Sequence, residues 1–303
     1  MGKSENSNQQ MEQQALEENI KHIRHKLVIL SGKGGVGKST VVVNLATSLA
    51  RQGKTVGILD TDLHGPNIAK MMGLEGAPMT ASSAEEIVPL ESHGIKVVSM
   101  ASFLPDADSP VVWRGPLKMK AIQQFLSETR WGTLDYLLVD SPPGTGDEPL
   151  SVCQLIPDID GVIVVTTPQD VALLDSRKSV NFARLLKVPV LGIVENMSGL
   201  SCPHCGKQID LFKSGGGERA AQELKVPFLG RVPIDPQMVL SGDDGRPFVH
   251  DHGETAAARA MEEILSNVLR SVEGTSGSDN EKCKVKSEKC KVQSEKCKVQ
   301  SEK

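Results

Sequence analysis

Ten residues constrain this chain more than any others. Ser31-Gly32-Lys33-Gly34-Gly35-Val36-Gly37-Lys38-Ser39-Thr40 follows the apolar stretch Leu27–Leu30 and opens a segment of helical spacing, Lys38–Arg51. The pattern G-x-x-x-x-G-K-[ST] is met at Gly32, Gly37, Lys38 and Ser39, in the strand–loop–helix setting that gives it meaning. Glycines let backbone N–H groups converge on phosphate oxygens. The helix N-terminus adds the positive end of its dipole, and Lys38 adds a point charge. Ser39 is placed to ligate Mg²⁺. Gly32 through Thr40, with Gly34, Gly35 and Val36 in the turn, are therefore the expected contacts to a bound nucleotide.

The rest of the chain agrees with that start. Leu27–Leu30, Val56–Leu59, Ile95–Met100, Tyr136–Val139, Val162–Val165 and Val190–Val194 read as buried strands. Lys38–Arg51, Pro116–Arg130, Val171–Leu186, Gly217–Leu224 and Thr255–Leu269 read as helices. Short apolar strands separated by helices imply right-handed crossovers and an α/β fold, a mostly parallel sheet with helices on both faces. One domain is expected over residues 26–271. Residues 1–25 read as a polar, Gln-rich leader, partly helical near Leu16–Ile23, that need not pack.

Residues 272–303 differ in kind. Glu-Lys-Cys-Lys-Val-Lys/Gln-Ser repeats from Glu281, Glu288 and Glu295. The period is seven, yet Cys and Val do not fall three and four apart as a coiled-coil seam requires. A disordered extension is expected. Its cysteines, Cys283, Cys290 and Cys297, leave a thiol-rich metal tract as the alternative.

Charge and composition narrow the partners. The formal charge of −4 conceals +4 over residues 281–303 and −8 over the remainder. An acidic body offers no footprint for nucleic acid, and 3% aromatic residues leave little on which to stack bases. No apolar run is long enough to span a bilayer, and the N-terminus lacks the apolar core of a secretory signal. No nucleic acid, no membrane and a cytoplasmic location are expected.

Two aspartate motifs follow strands. Asp60-Thr61-Asp62-Leu63-His64-Gly65-Pro66-Asn67 puts carboxylates at the carboxyl edge of a parallel strand, where ligands sit. One can orient an attacking water and the other a Mg²⁺-bound water. Asp140-Ser141-Pro142-Pro143-Gly144-Thr145-Gly146-Asp147 closes another apolar run, the arrangement in which Asp140 holds the metal. Gly144 can bring its N–H close to a γ-phosphate, and such a loop senses that phosphate.

Lys33 is a second lysine in a cramped loop, costly unless it meets an anion. With it, Gly32–Thr40 resembles the deviant Walker A motif of the MinD, ParA, ArsA and nitrogenase iron-protein superclass. That resemblance implies a homodimer in which Lys33 reaches the partner's phosphates, a trans role like that of an arginine finger. It also implies that Asp62 orients the catalytic water and Asp60 supports it.

Glu195-Asn196-Met197-Ser198 leads into Cys202-Pro203-His204-Cys205. A C-x-x-C pair can be a redox couple, half a zinc site or ligands to an iron–sulfur cluster. A closed thiolate site needs four ligands; two chains about a two-fold axis supply them. Cys153 stands apart in a helical segment and reads as a small core residue.

Taken together, Gly32–Thr40, Asp60–Asn67, Trp113-Arg114-Gly115-Pro116, Asp140–Asp147, Glu195–Ser198 with the cysteine pair, and Gly215-Gly216-Gly217 resemble the Mrp/ApbC family of iron–sulfur cluster carrier ATPases over residues 26–270. The resemblance implies slow ATP hydrolysis with Mg²⁺, and a labile [4Fe–4S] cluster held by Cys202 and Cys205 of two subunits and passed to apo-proteins. It implies that Asn196 reads adenine and that Pro233-Ile234-Asp235 forms a second base-side loop. The cysteine-rich N-terminal segment of some relatives, with its extra cluster, has no counterpart here. A MinD/ParA-like positioning ATPase and a zinc-stabilised nucleotidase dimer are the alternatives.

Overall fold

All six apolar runs read as strands lie in one sheet, and two cores explain why those strands are apolar on both sides. In β1 (Ile23–Ser31), Leu27 and Ile29 belong to one core while Val28 and Leu30 belong to the other. A strand buried on both faces has no position for a polar residue, so alternation disappears and a continuous apolar run remains. The computed structural model describes residues 13–62, 65–78, 80–81, 86–103, 115–202, 205 and 207–273. The expectations for residues 1–12, for Trp113 and Arg114, and for the repeat tail from residue 274 fall outside the described residues.

The remaining strands of the sheet are β2 (Val56–Asp60), β5 (Leu90–Ser92), β6 (Ile95–Ser99), β7 (Leu134–Asp140), β8 (Gly161–Thr166), β9 (Val190–Glu195) and β12 (Phe228–Arg231). Their order is β12-β9-β8-β1-β7-β2-β6-β5, parallel throughout except for the edge strand β5. Two small hairpins lie outside it: β3 (Thr80–Ala81) with β4 (Ile87–Val88), and β10 (Leu200–Ser201) with β11 (Gln208–Ile209). One face carries α2 (Lys38–Arg51), α3 (Ile68–Met71), α8 (Pro236–Asp243), α9 (Phe248–Asp251) and α10, residues 256–273. The other carries α4 (Gly115–Ser127), α5 (Asp147–Leu155), α6 (Asp170–Leu185) and α7 (Gly216–Leu224). Thr255 caps α10, its Oγ1 accepting from the Ala258 N–H at 3.2 Å.

Two features depart from the sequence reading. Residues 13–20 form a helix, α1, whose Leu16 and Ile20 are 0% and 1% exposed within the second core. Two apolar residues four apart make a stripe just wide enough to cover the end of α4. The Asn19 amide then fixes the docking by donating to the carbonyls of Leu126 at 2.7 Å and Thr129 at 2.8 Å. The packed unit thus begins before Lys26, and the leader is part of it from residue 13. The second departure is β12, which spends two of its four positions on Gly230 and Arg231 and sits at an edge, so it carries no run to read.

Candidate nucleotide site and cysteine hairpin

The order β8-β1-β7-β2 brings the carboxyl ends of β1, β7 and β2 together, with the phosphate loop between β1 and α2. Gly37 enters α2 at φ 79°, a left-handed conformation that favours glycine. A β-carbon there would lie 2.2 Å from the Asn196 Nδ2, and one at Gly32 would lie 2.3 Å from the backbone of Asp175 in α6. These two glycines are forced by their neighbours. Gly34 and Gly35 face open space, so their bare backbone is available to a ligand. The loop lines an open cavity of about 370 Å³, bounded also by Asp62, Lys70, Pro143 and α8. Lys33 lines it and forms no ion pair with the described residues.

Register does the next step. Asp60 and Asp140 are direct partners across β2 and β7, and both side chains are fully buried. The Lys38 ammonium lies 2.5 Å from Asp140 Oδ1 and 3.8 Å from Asp62 Oδ2. Ser39 donates to Asp140 Oδ2 at 2.6 Å, and Thr61 donates its hydroxyl to the Asp140 carbonyl at 2.8 Å. Asp60 accepts from Ser99 at 2.9 Å and from the Asp62 N–H at 3.1 Å. Burial, and next the charge of Asp140, push the Asp60 carboxyl up to about 8. Burial raises Asp140 as well, against the pull of Lys38 and Ser39. Burial thus disfavours charge on both carboxyls; Asp140 has the Lys38 ammonium beside it, whereas Asp60 is met by the neutral donors Ser99 and the Asp62 N–H.

The loop after β7 is tethered. Gly144, at φ 96°, donates its N–H to the Ser31 carbonyl at 2.8 Å rather than into the cavity. Asn196 does reach the phosphate loop: its Nδ2 donates to the Val36 carbonyl at 2.9 Å. Asp235 caps α8, accepting from the Gln237 N–H at 3.0 Å. The cavity wall on that side is Met238, Val239, Gly242 and Asp243 of α8, with Pro233 behind it in sequence.

The cysteine pair sits at the tip of the β10–β11 hairpin. Cys202 is half-buried and donates its N–H to the Lys207 carbonyl at 2.9 Å; Cys205 is exposed. Among the described residues, no group of three or more His, Cys, Asp or Glu is arranged to hold a metal ion. Cys153 lies in the core, where burial raises its thiol to about 11 and keeps it inert.

One residue was passed over in the sequence. Glu195 ends β9 as Asp60 ends β2 and Asp140 ends β7, and it is fully buried. The strand-end rule that singled out the two aspartates applies to it equally. It escaped because it stands beside a more familiar asparagine.

Residues 22–269 match the ParA family model, described as NUBPL iron-transfer P-loop NTPase. The chain belongs to this family. An iron-sulfur cluster carrier protein of Methanocaldococcus jannaschii is 52% identical over 259 residues, covering 86% of this chain and 89% of its own. One from Synechocystis is 47% identical, covering 84% and 73%. Among solved structures, a nucleotide-binding protein from Archaeoglobus fulgidus in complex with ADP is 40% identical, with a TM-score of 0.69 over 78% of this chain and 92% of that one. MinD from Pyrococcus horikoshii with Mg-ADP reaches a TM-score of 0.59 at 23% identity over 81% and 96%, which speaks for the fold alone. This is a P-loop NTPase of α/β architecture whose curated relatives carry iron–sulfur clusters. No helix among the described residues is long and apolar enough to cross a membrane.

Proposed function

We propose that this protein is a cytoplasmic, ATP-dependent iron–sulfur cluster carrier: a homodimer that binds a labile [4Fe–4S] cluster between subunits and passes it to apo-proteins. The carrying observation is connectivity. Asn196, bonded to the phosphate loop, stands six residues before Cys202 on the same strand exit. Nucleotide and thiols therefore share one piece of backbone. Two thiols per chain are half of the four that such a cluster takes, and a two-fold axis supplies the rest.

The chain's own groups account for the hydrolytic half. Backbone N–H groups of Gly34 to Ser39 and the Lys38 ammonium hold the phosphates, with Lys38 exchanging Asp140 for phosphate oxygens. Ser39 Oγ and Asp140 offer hard oxygen donors 2.6 Å apart, which suits Mg²⁺. Mg²⁺ there would neutralise charge developing on the phosphates. Asp62 orients the attacking water, Asp60 supports it from behind, and Lys33 reaches the partner's phosphates. Gly144 exchanges the Ser31 carbonyl for a γ-phosphate oxygen, which moves the switch loop. Asn196 and the 233–235 segment, with Pro233 and Asp235, line the base side. Hydrolysis is slow because the useful output is a change of dimer geometry.

The test is anaerobic purification and reconstitution with iron and sulfide, reading absorbance beside a Cys202→Ala/Cys205→Ala variant. Wild type is expected to gain a cluster chromophore at one cluster per dimer in sedimentation. Zinc without an iron chromophore overturns this reading in favour of a structural site.

A further inference from the structure

The Glu195 carboxylate is a buried hub that the hydrolytic machinery does not use. Its Oε1 accepts from the Ser198 hydroxyl at 2.5 Å and from the Gly215 N–H at 2.9 Å, and its Oε2 accepts from the Gly217 N–H. Ser198 has spent its proton on Glu195, so the Ser198–Ser214 contact of 3.1 Å is a bond donated by Ser214. Ser198 leads into the cysteine hairpin; Ser214 and Gly215 lead out of it. Both legs are thus drawn onto one carboxylate. The glycine run is forced in part by Glu195 and in part by the neighbouring backbone. A β-carbon at Gly217 would stand 2.9 Å from the Glu195 Cβ, and one at Gly216 would stand 2.3 Å from the Pro168 carbonyl oxygen. The other side of the hub is the nucleotide site. Asn196, the next residue, donates its N–H to Thr166 at 2.8 Å and its amide to the Val36 carbonyl at 2.9 Å.

We infer that Glu195 is a positioning residue that closes the neck of the cysteine hairpin and transmits the state of the phosphate loop to Cys202 and Cys205. The inference rests on the reading of that pair as the working thiols. Charge and shape are both required. Two oxygens receive donors, whereas a glutamine has one acceptor oxygen and turns an NH₂ toward an N–H. Its α7 amides are also the positive end of a helix, which favours the carboxylate over an amide.

The experiment compares wild type, Glu195→Gln and Ser198→Ala as full-length, reduced protein free of iron and zinc. Iodoacetamide alkylation of Cys202 and Cys205 is followed by peptide mass spectrometry, with and without Mg-ATP, and nucleotide affinity is titrated separately. Wild type is expected to change its alkylation rate by about fivefold or more on nucleotide binding, the lower end of ordinary coupling. Glu195→Gln is expected to erase that change while still binding nucleotide. A Glu195→Gln protein that keeps the full change, or a wild type that shows none, overturns the inference. If Glu195→Gln does not fold, Ser198→Ala decides: a reduced response supports the hub and an unaltered one overturns it. The readout uses no iron, so failure of the carrier reading appears separately, as absence of a cluster chromophore in reconstituted wild type.

Discussion

The phosphate site and the cysteine hairpin are built on opposite plans within one chain. The first is preorganised: Lys38, Asp60, Asp140 and Thr61 are buried, each held by a partner from another element. The second is a two-stranded projection with a half-buried and an exposed thiol at its tip. A buried polar cluster has its geometry fixed before the ligand arrives, so it binds on one chain. A short hairpin alone is barely stable, so this one depends on the bonds at its neck. The difference suits a switch, in which a buried sensor drives an exposed grip.

The largest effect expected is that of Lys38→Met. Losing the phosphate-binding ammonium should lower kcat/KM for ATP by roughly a hundred- to a thousandfold, checked by phosphate release. Iron loading of the hairpin should survive, and its loss would break the division into two regions. Conversely, Cys202→Ala/Cys205→Ala should abolish the cluster chromophore while shifting stability by no more than about 0.5 kcal/mol in denaturant titration, since the tip is not core. A drop in nucleotide affinity alongside would show that the tip feeds back on the rigid site.

Next in size is Leu16→Ala, expected to cost about 2–4 kcal/mol in urea unfolding, because a fully buried leucine leaves a cavity beneath α1. A single transition for both regions is expected; separate transitions would uncouple them. The raised Asp60 carboxyl gives a comparable, pH-dependent effect. A carboxyl raised to about 8 in the folded state keeps a proton that the unfolded chain releases near pH 4. Stability of the nucleotide-free protein should therefore fall as pH rises from about 4 to about 8, by on the order of a few kcal/mol. Asp60→Asn should flatten part of that slope, the raised Asp140 carboxyl carrying the rest, measured by thermal unfolding across the range. The smallest effect is at Asp235→Ala, about 1 kcal/mol from the lost α8 cap. A large loss of ADP affinity in the same variant would mark Asp235 as a base-side contact beyond its capping role.

Much of the rigid region was legible in advance, and the reason is local chemistry. Gly32–Thr40 declares a phosphate loop because the backbone turn, the helix start and the lysine occupy consecutive positions. Asp60 and Asp140 were legible because each closes an apolar run inside a recognisable motif. Less of the cysteine hairpin could be read. The C-x-x-C was visible, but nothing nearby in sequence said that Glu195 closes its neck, since the partners Gly215 and Gly217 lie twenty and twenty-two residues on. Leu16 and Ile20 were discounted because two apolar residues in a polar stretch carry no period of their own. Only the groove beside α4 makes them core.

Sequence by itself determined the kind of chemistry, the α/β class and the identity of the ligand-bearing loops, because each is written in residues close together along the chain. Tertiary structure alone decided that β1 lies between β7 and β8, and so that Lys38 meets Asp140 from a hundred residues away. It also decided that Asp60 and Asp140 are buried side by side and how the cysteine hairpin is rooted. Those outcomes depend on strand order and burial, and both are set by how the whole chain packs.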